Sequence, residues 1–302
     1  MRHYSGMVEP PAAKVSSPHG LRGDYSHAAP DYTVAQDWEH YSAQDHALWS
    51  TLYHRQLALV ERYAASEFLE GARLLGASAT RIPRFESINE RLSAASGWHI
   101  VAVPGLIPDQ QFFDHLAARR FPVTVWIRRP EELDYLVEPD VFHDFFGHVP
   151  LLTNPVFARF MQAYGQAGAK ALATPGGLTM LSRLYWYMVE FGLIRDRGAL
   201  AVYGAGILSS KGETVYSIES PEPQRLRFEL TRVMRTDYRI DTYQRTYFVL
   251  ESYQELFDAC YGTDFTPLYE RYGAASPIPA DACLPGDRPV APAMRSQTAP
   301  PA

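Results

Sequence analysis

Cysteine is nearly absent: two residues in 302, Cys260 and Cys283, which stand 23 apart. The second lies in a proline-rich stretch, so a disulfide framework and a thiolate metal cluster are both excluded, and any metal must be held by nitrogen and oxygen. No segment reaches about 18 uninterrupted apolar residues, which argues against a membrane span. The opening MRHYSGMVEPPAAK lacks the apolar centre of a secretory signal, and the expectation is a cytoplasmic protein with no membrane partner. Blocks of five or six basic residues are missing too, and the formal charge of −6 gives no electrostatic reason to approach nucleic acid. What the chain does have is apolar surface: 46% hydrophobic and 13% aromatic residues, enough for a sizeable core.

The ends differ in texture from the middle. Residues 1–30 are poor in periodic apolar positions, and 274–302 hold seven of the 23 prolines with almost no large aliphatics. Both are expected to be loose, the second a disordered tail, because neither offers enough burial to offset its chain entropy. Between them no linker or fixed-period repeat interrupts the pattern, which predicts one domain over 31–273. Apolar spacing of three and four predicts a helix through DHALWSTLYHRQLALVERYAASEFL (45–69), and others in FESINERLSAASG, PDQQFFDHLAARR, NPVFARFMQAYGQAGAKAL and LTMLSRLYWYMVEFGLI. Short strand-like runs are WHIVAV, PVTVWIRR, ALAVYGAG, ETVYSI and TYFVLES. The predicted fold class is mainly α with a few short β-strands.

One stretch, EPDVFHDFFGHVPLL (138–152), puts His143 and His148 five apart in an aromatic and aliphatic run. On a regular helix five residues turn about 500°, leaving the two rings about 140° apart. Gly147 and Pro150 therefore predict that the helix ends or bends here, which would let both rings face one point. Two satisfied core histidines remain the alternative. Glu190, in LYWYMVEFGLI, is a carboxylate among large apolar neighbours and needs a cation or a donor. Trp186, four residues earlier, shares its face. Two imidazoles and a carboxylate suit ferrous iron with open positions for O₂ and a substrate, whereas zinc on the same three residues would be hydrolytic.

EPDVFHDFFGHVPLL, LYWYMVEFGL and VYGAGILSSKGE, in that order and with WIRR upstream, resemble the pterin-dependent aromatic amino acid hydroxylases over roughly residues 30–270. The resemblance implies that His143, His148 and Glu190 bind Fe(II), and that one atom of O₂ enters an aromatic ring while tetrahydrobiopterin supplies two electrons. PGLIPDQQFF matches the family's pterin loop, which implies that Phe112 stacks on the cofactor and that Gly105, Leu106 and Ile107 offer backbone contacts. Asp144 and Tyr185 match pterin-side positions. On the substrate side it implies Arg128 for the amino acid carboxylate, Trp186 and Phe191 beside the ring, and Gly206 and Ser209 in ordering the site; the guanidinium fork suits bidentate grip. Leu136 departs from the threonine of animal relatives, so one polar contact to the substrate is expected to differ.

YGAGILS imitates half of a dinucleotide fingerprint, but Ser209 stands where a third glycine belongs and no suitable βαβ unit follows, so NAD binding is rejected. By resemblance Ile240 occupies a position that is acidic in tyrosine-specific relatives, which favours a ring without a hydroxyl. The expected reaction is hydroxylation of L-phenylalanine to L-tyrosine by a compact monomer of the bacterial kind. Tryptophan hydroxylation within the family, a zinc hydrolase, and a non-catalytic pterin- or amino acid-binding protein are the alternatives.

Overall fold

Ser42 opens the first helix by a reciprocal capping box: its hydroxyl accepts from the Asp45 amide at 3.1 Å while the Asp45 carboxylate accepts from the Ser42 amide at 2.8 Å. The structure, a computed structural model, describes residues 21–291 apart from Tyr135, Ile240 and Asp241. The expectation for Ile240 thus lies outside the described residues. In chain order the elements are α1 (Ala43–Tyr63), α2 (Ser66–Leu75), α3 (Phe85–Ser96), β1 (His99–Val103), α4 (Asp109–Ala117), β2 (Arg120–Thr124), α5 (Pro155–Ala173), α6 (Gly177–Tyr185), β3 (Leu193–Asp196), β4 (Ala199–Val202), α7 (Ala205–Leu208), α8 (Lys211–Glu219), β5 (Gln224–Arg227), α9 (Leu230–Arg235), β6 (Thr246–Leu250), α10 (Tyr253–Cys260) and α11 (Thr266–Tyr272). Strands β1 and β2 pair in parallel, and β4-β3-β6-β5 form a second sheet. The result is a mainly helical single domain with a few short strands.

Helix α5 begins as its sequence predicts. Asn154 accepts from the amides of Val156 and Phe157, each at 3.0 Å, and Pro155 takes the first position, where no amide is needed. Its inner face, with Phe157, Phe160, Met161 and Tyr164, enters a core that also holds Trp49, Leu184, Tyr187, Phe248 and the whole of β6.

Three sequence expectations give way to local hydrogen bonding. The long helix expected over 45–69 is broken at Ala64 and Ala65, whose extended backbone joins β4: the Ala65 amide donates to the Val202 carbonyl at 2.8 Å. ETVYSI is not a strand but lies in α8. Ser210 caps it by accepting from the Glu213 amide, and this local cap starts the helix despite the β-branched residues. The helix expected through LTMLSRLYWYMVEFGLI stops at Glu190, with Leu193 and Ile194 in β3, and β5 (QRLR) carries no sequence signal because its charges mask buried backbone; Arg225 is spent on the Ser217 and Ser220 carbonyls, each at 2.7 Å.

The tails also need correction. Within 1–30, residues 21–30 are placed against the body, with Arg22 paired to Glu132 at 2.7 Å and the Tyr25 hydroxyl on the Leu106 carbonyl at 2.8 Å. Within 274–302, residues 274–291 form a docked segment. The Arg227 amide donates to Arg288 and the Val290 amide to Arg225, so the chain pairs with the open edge of β5. Buried Arg232 clamps the same segment through Asp287 at 2.9 Å and the Ala282 carbonyl at 2.7 Å. Backbone pairing and one guanidinium add here to the burial of Ile278 and Val290, and composition does not reveal it. Cys260 is buried and Cys283 exposed, both free thiols. Among the described residues no helix is long and apolar enough to cross a membrane.

Candidate active site

His143 and His148 occupy the two ends of a single π turn, His143–His148. The expectation that a regular helix must end or bend before the second ring is therefore corrected: the helix widens. Hydrogen bonds that close over five residues instead of four make residues five apart neighbours, and such turns recur at functional sites. Glu190 ends a second π turn, Trp186–Glu190, which continues α6, and the Phe191 amide donates back to the Trp186 carbonyl at 2.9 Å. Each ligand candidate is thus set by a one-residue expansion of helix.

The side chains converge. His148 Nε2 lies 3.1 Å from Glu190 Oε1, and His143 Nε2 lies 3.6 Å from Oε2. One donor atom from each of the three residues falls within 4.8 Å of the others. The Ser209 hydroxyl donates to the Ala205 carbonyl at 2.9 Å, which leaves its oxygen to accept from His143 Nδ1 at 2.8 Å. That fixes the His143 tautomer with its Nε2 lone pair directed at the carboxylate. Burial pushes His143 down to about 4, so the ring is neutral. Burial would raise the Glu190 carboxyl, but His148, then His143 and the Gly206 amide, outweigh it and hold the group below its ordinary range. Neutral imidazoles and an ionised carboxylate are the forms that coordinate a divalent cation.

Helix α7 approaches the second π turn closely, and Gly204 makes this possible: a Cβ there would stand 2.4 Å from the Glu190 carbonyl oxygen. The VYGAG sequence is thus a packing requirement of the carboxylate, not part of a nucleotide loop.

Beside the triad stand two aromatic groups. On one side Phe112 meets Tyr185 edge-on at 5.5 Å, and Tyr185 lies parallel to the His148 ring at 6.3 Å. Asp144, which is buried, is pushed up to about 7 by that burial and accepts from the Thr124 amide at 2.8 Å. On the other side Trp186 stacks with Phe191 at 5.7 Å and with Tyr238 at 5.0 Å. Tyr238 had no sequence signal.

Arg128 differs from the free fork expected. It is buried, and its Nε and Nη2 grip Asp140 at 2.8 and 2.9 Å, while Nη1 faces the Leu133 carbonyl at 3.4 Å. One edge of the guanidinium is closed. Asp140 also accepts from the amides of Arg128 and His143, at 2.9 and 3.0 Å, tying the segment after β2 to the π turn. Asp140 stands twelve residues after Arg128, but EPD offers two acids and WIRR two arginines, so the pairing has no unique sequence signal. Ser209 stands behind His143, and Gly206 donates to Glu190, so both act on the triad. Leu136 is half-buried. Gly105, Leu106 and Ile107 form the loop between β1 and α4.

Residues 18–262 match the family described as biopterin-dependent aromatic amino acid hydroxylase. The chain is 58% identical over 258 residues to the phenylalanine-4-hydroxylase of Ralstonia nicotianae, covering 85% of this chain and 82% of that protein. It is similar to the crystal structure of phenylalanine hydroxylase from Chromobacterium violaceum with iron(III) and oxidised 7,8-dihydrobiopterin bound, at 56% identity and a TM-score of 0.84, covering 87% and 94% of the two chains. It is also similar to the form of that enzyme with iron and phenylalanine bound, at 55% identity and a TM-score of 0.83, covering 87% and 96%.

Proposed function

The chain belongs to the biopterin-dependent aromatic amino acid hydroxylases, and from that premise we propose that it is an iron- and tetrahydropterin-dependent monooxygenase converting L-phenylalanine to L-tyrosine with O₂. The observation that carries the reading is the convergence of donor atoms of His143, His148 and Glu190 to within 4.8 Å, with His143 neutral and Glu190 ionised. Two nitrogens and one carboxylate fit ferrous iron in a site with open positions. When bound, the iron and the pterin supply O₂ activation and the two electrons that reduce its second atom.

The rest is the work of side chains. His143 is held by Ser209 and Glu190 by Gly206, so two of the three ligands are fixed before any metal arrives. Phe112 and Tyr185 offer the flat heterocycle an aromatic surface next to His148, with Gly105, Leu106 and Ile107 supplying backbone contacts and Asp144 a carboxyl that is largely protonated below about pH 7. Trp186 and Phe191 flank the substrate ring, joined by Tyr238. Arg128, immobilised by Asp140, turns its remaining N–H groups to the amino acid carboxylate. His148 and Glu190 are buried and His143 is half-buried, which limits the access of bulk water to the reacting centre.

The chain is read as a cytoplasmic monomer whose partners are small molecules. In support, residues 288–290 cover the edge of β5 that an open sheet would offer to a second copy. The test is anaerobic reconstitution with Fe(II), then O₂, a tetrahydropterin and phenylalanine, tyrosine or tryptophan in turn. Tyrosine formed from phenylalanine, in step with O₂ uptake, is expected. Tight amino acid and pterin binding without turnover, or activity with zinc alone, would overturn it.

A further inference from the structure

The segment before α1 crosses the loop that joins β1 to α4. Gly23 lies so close to this loop that a Cβ there would stand 1.8 Å from the Pro104 carbonyl oxygen. Arg22 pairs with Glu132 at 2.7 Å and covers the Trp126 ring at 4.7 Å. Trp126 Nε1 donates to the Pro104 carbonyl at 3.1 Å, and the Tyr25 hydroxyl, from 81 residues earlier in the chain, donates to the Leu106 carbonyl at 2.8 Å. The carbonyls on both sides of Gly105 are therefore taken by side chains from outside the loop. No hydrogen bond among the described residues engages the amides of Gly105, Leu106 or Ile107.

Fixing the carbonyl of a peptide fixes the direction of the amide that follows it, because the unit is planar. A peptide with its oxygen tethered on one side and its N–H free is a preorganised donor, and a ligand that uses such donors avoids the ordering cost of a mobile loop. Apolar burial alone would pack the strap without setting peptide orientation.

We infer that Tyr25 is a positioning residue for the pterin: through the Leu106 carbonyl it holds the 105–107 backbone in the orientation that receives the heterocycle. The inference rests on the reading of 105–107 and Phe112 as the pterin surface. Tyr25→Phe keeps the ring and its edge contact with Tyr32 at 6.5 Å and removes only the donor.

The experiment is titration calorimetry of the Fe(II)-loaded protein with 7,8-dihydrobiopterin, run on the wild type, Tyr25→Phe and Phe112→Ala, with steady-state kinetics alongside. Tyr25→Phe is expected to weaken pterin binding about 3- to 10-fold, in line with the loss of one hydrogen bond. The KM for the pterin should rise in parallel, with iron content, thermal midpoint and the KM for phenylalanine unchanged. If Phe112→Ala weakens the pterin and Tyr25→Phe does not, the inference falls and the pterin surface stands. If Phe112→Ala leaves pterin affinity untouched, the pterin surface itself is misplaced and the inference falls with it. An equal rise in the KM for pterin and phenylalanine, or a lowered thermal midpoint, would reduce Tyr25 to an ordinary structural contact and also overturn the inference.

Discussion

Asp140, Glu213 and Glu190 are three of the buried carboxylates among the described residues, and each is treated differently. Asp140 lies under the Arg128 guanidinium with two further amides on it; burial would raise it, but these partners hold it below its ordinary range. Glu213, in α8, receives only neutral donors, the Tyr247 hydroxyl at 2.7 Å and the Gln244 amide at 3.3 Å, and burial pushes it up to about 7. Glu190 faces two imidazoles, of which His143 is neutral, yet it stays ionised. Asp140 is a closed ion pair, Glu213 escapes its charge by taking a proton, and Glu190 keeps a charge whose partners are themselves metal donors. The difference separates a structural carboxylate from a ligand: burial is common to all three, and the kind of neighbour decides.

The largest effect should follow from removing a donor of the open cluster. His143→Ala is expected to lose iron and to cut tyrosine formation by far more than 100-fold, while urea unfolding stays cooperative; iron analysis and product assay check it. Near-normal turnover would mean that the closed and open clusters do not differ in function.

Breaking the closed pair should cost stability first. Asp140→Ala leaves a buried guanidinium uncompensated, and a loss of about 3–5 kcal/mol in urea unfolding is expected. For the same reason Arg128→Lys should lower stability and raise the KM for phenylalanine together, because an ammonium cannot span both Asp140 oxygens. A change in KM alone would show that the pair is not structural.

A smaller effect belongs to the hydrogen bond behind the triad. Ser209→Ala frees the His143 ring, and iron should bind about 10- to 100-fold more weakly, as is usual when a ligand loses its outer partner. An unchanged affinity in Fe(II) titration would remove Ser209 from the centre.

The smallest effect is a pH slope. The folded-state value of Glu213 is raised above its ordinary 4.5, so the folded protein binds the extra proton; its contribution to stability is full below about 4.5 and is lost as pH rises through about 7. Glu213→Gln should flatten the decline in stability over that window by on the order of 1–3 kcal/mol, measured by denaturation at pH 5 and pH 8. Asp140 has the opposite sign, its contribution being present at neutral pH and lost in acid.

Much of this was legible in the chain. The amphipathic period and the Asn154-Pro155 cap predict α5 because both act within a few residues, and the family likeness carried His143, His148 and Glu190. Less legible was how the two histidines meet, since nothing in HDFFGH distinguishes a π turn from a helix end until α7 is packed beneath it. The docking of 274–291 was hidden for a related reason: it depends on the edge of β5 and on Arg232, both distant in sequence. Tyr238 and Tyr25 were invisible because a partly exposed tyrosine carries no local pattern; only the Trp186 ring and the Leu106 carbonyl give them meaning.

The most direct measurement is anaerobic Fe(II) titration of the wild type beside Glu190→Gln, which keeps the shape of the side chain and removes its charge. The account predicts one tightly held iron per wild-type chain and none in the variant, with the fold retained. Iron bound to Glu190→Gln with wild-type affinity would contradict it.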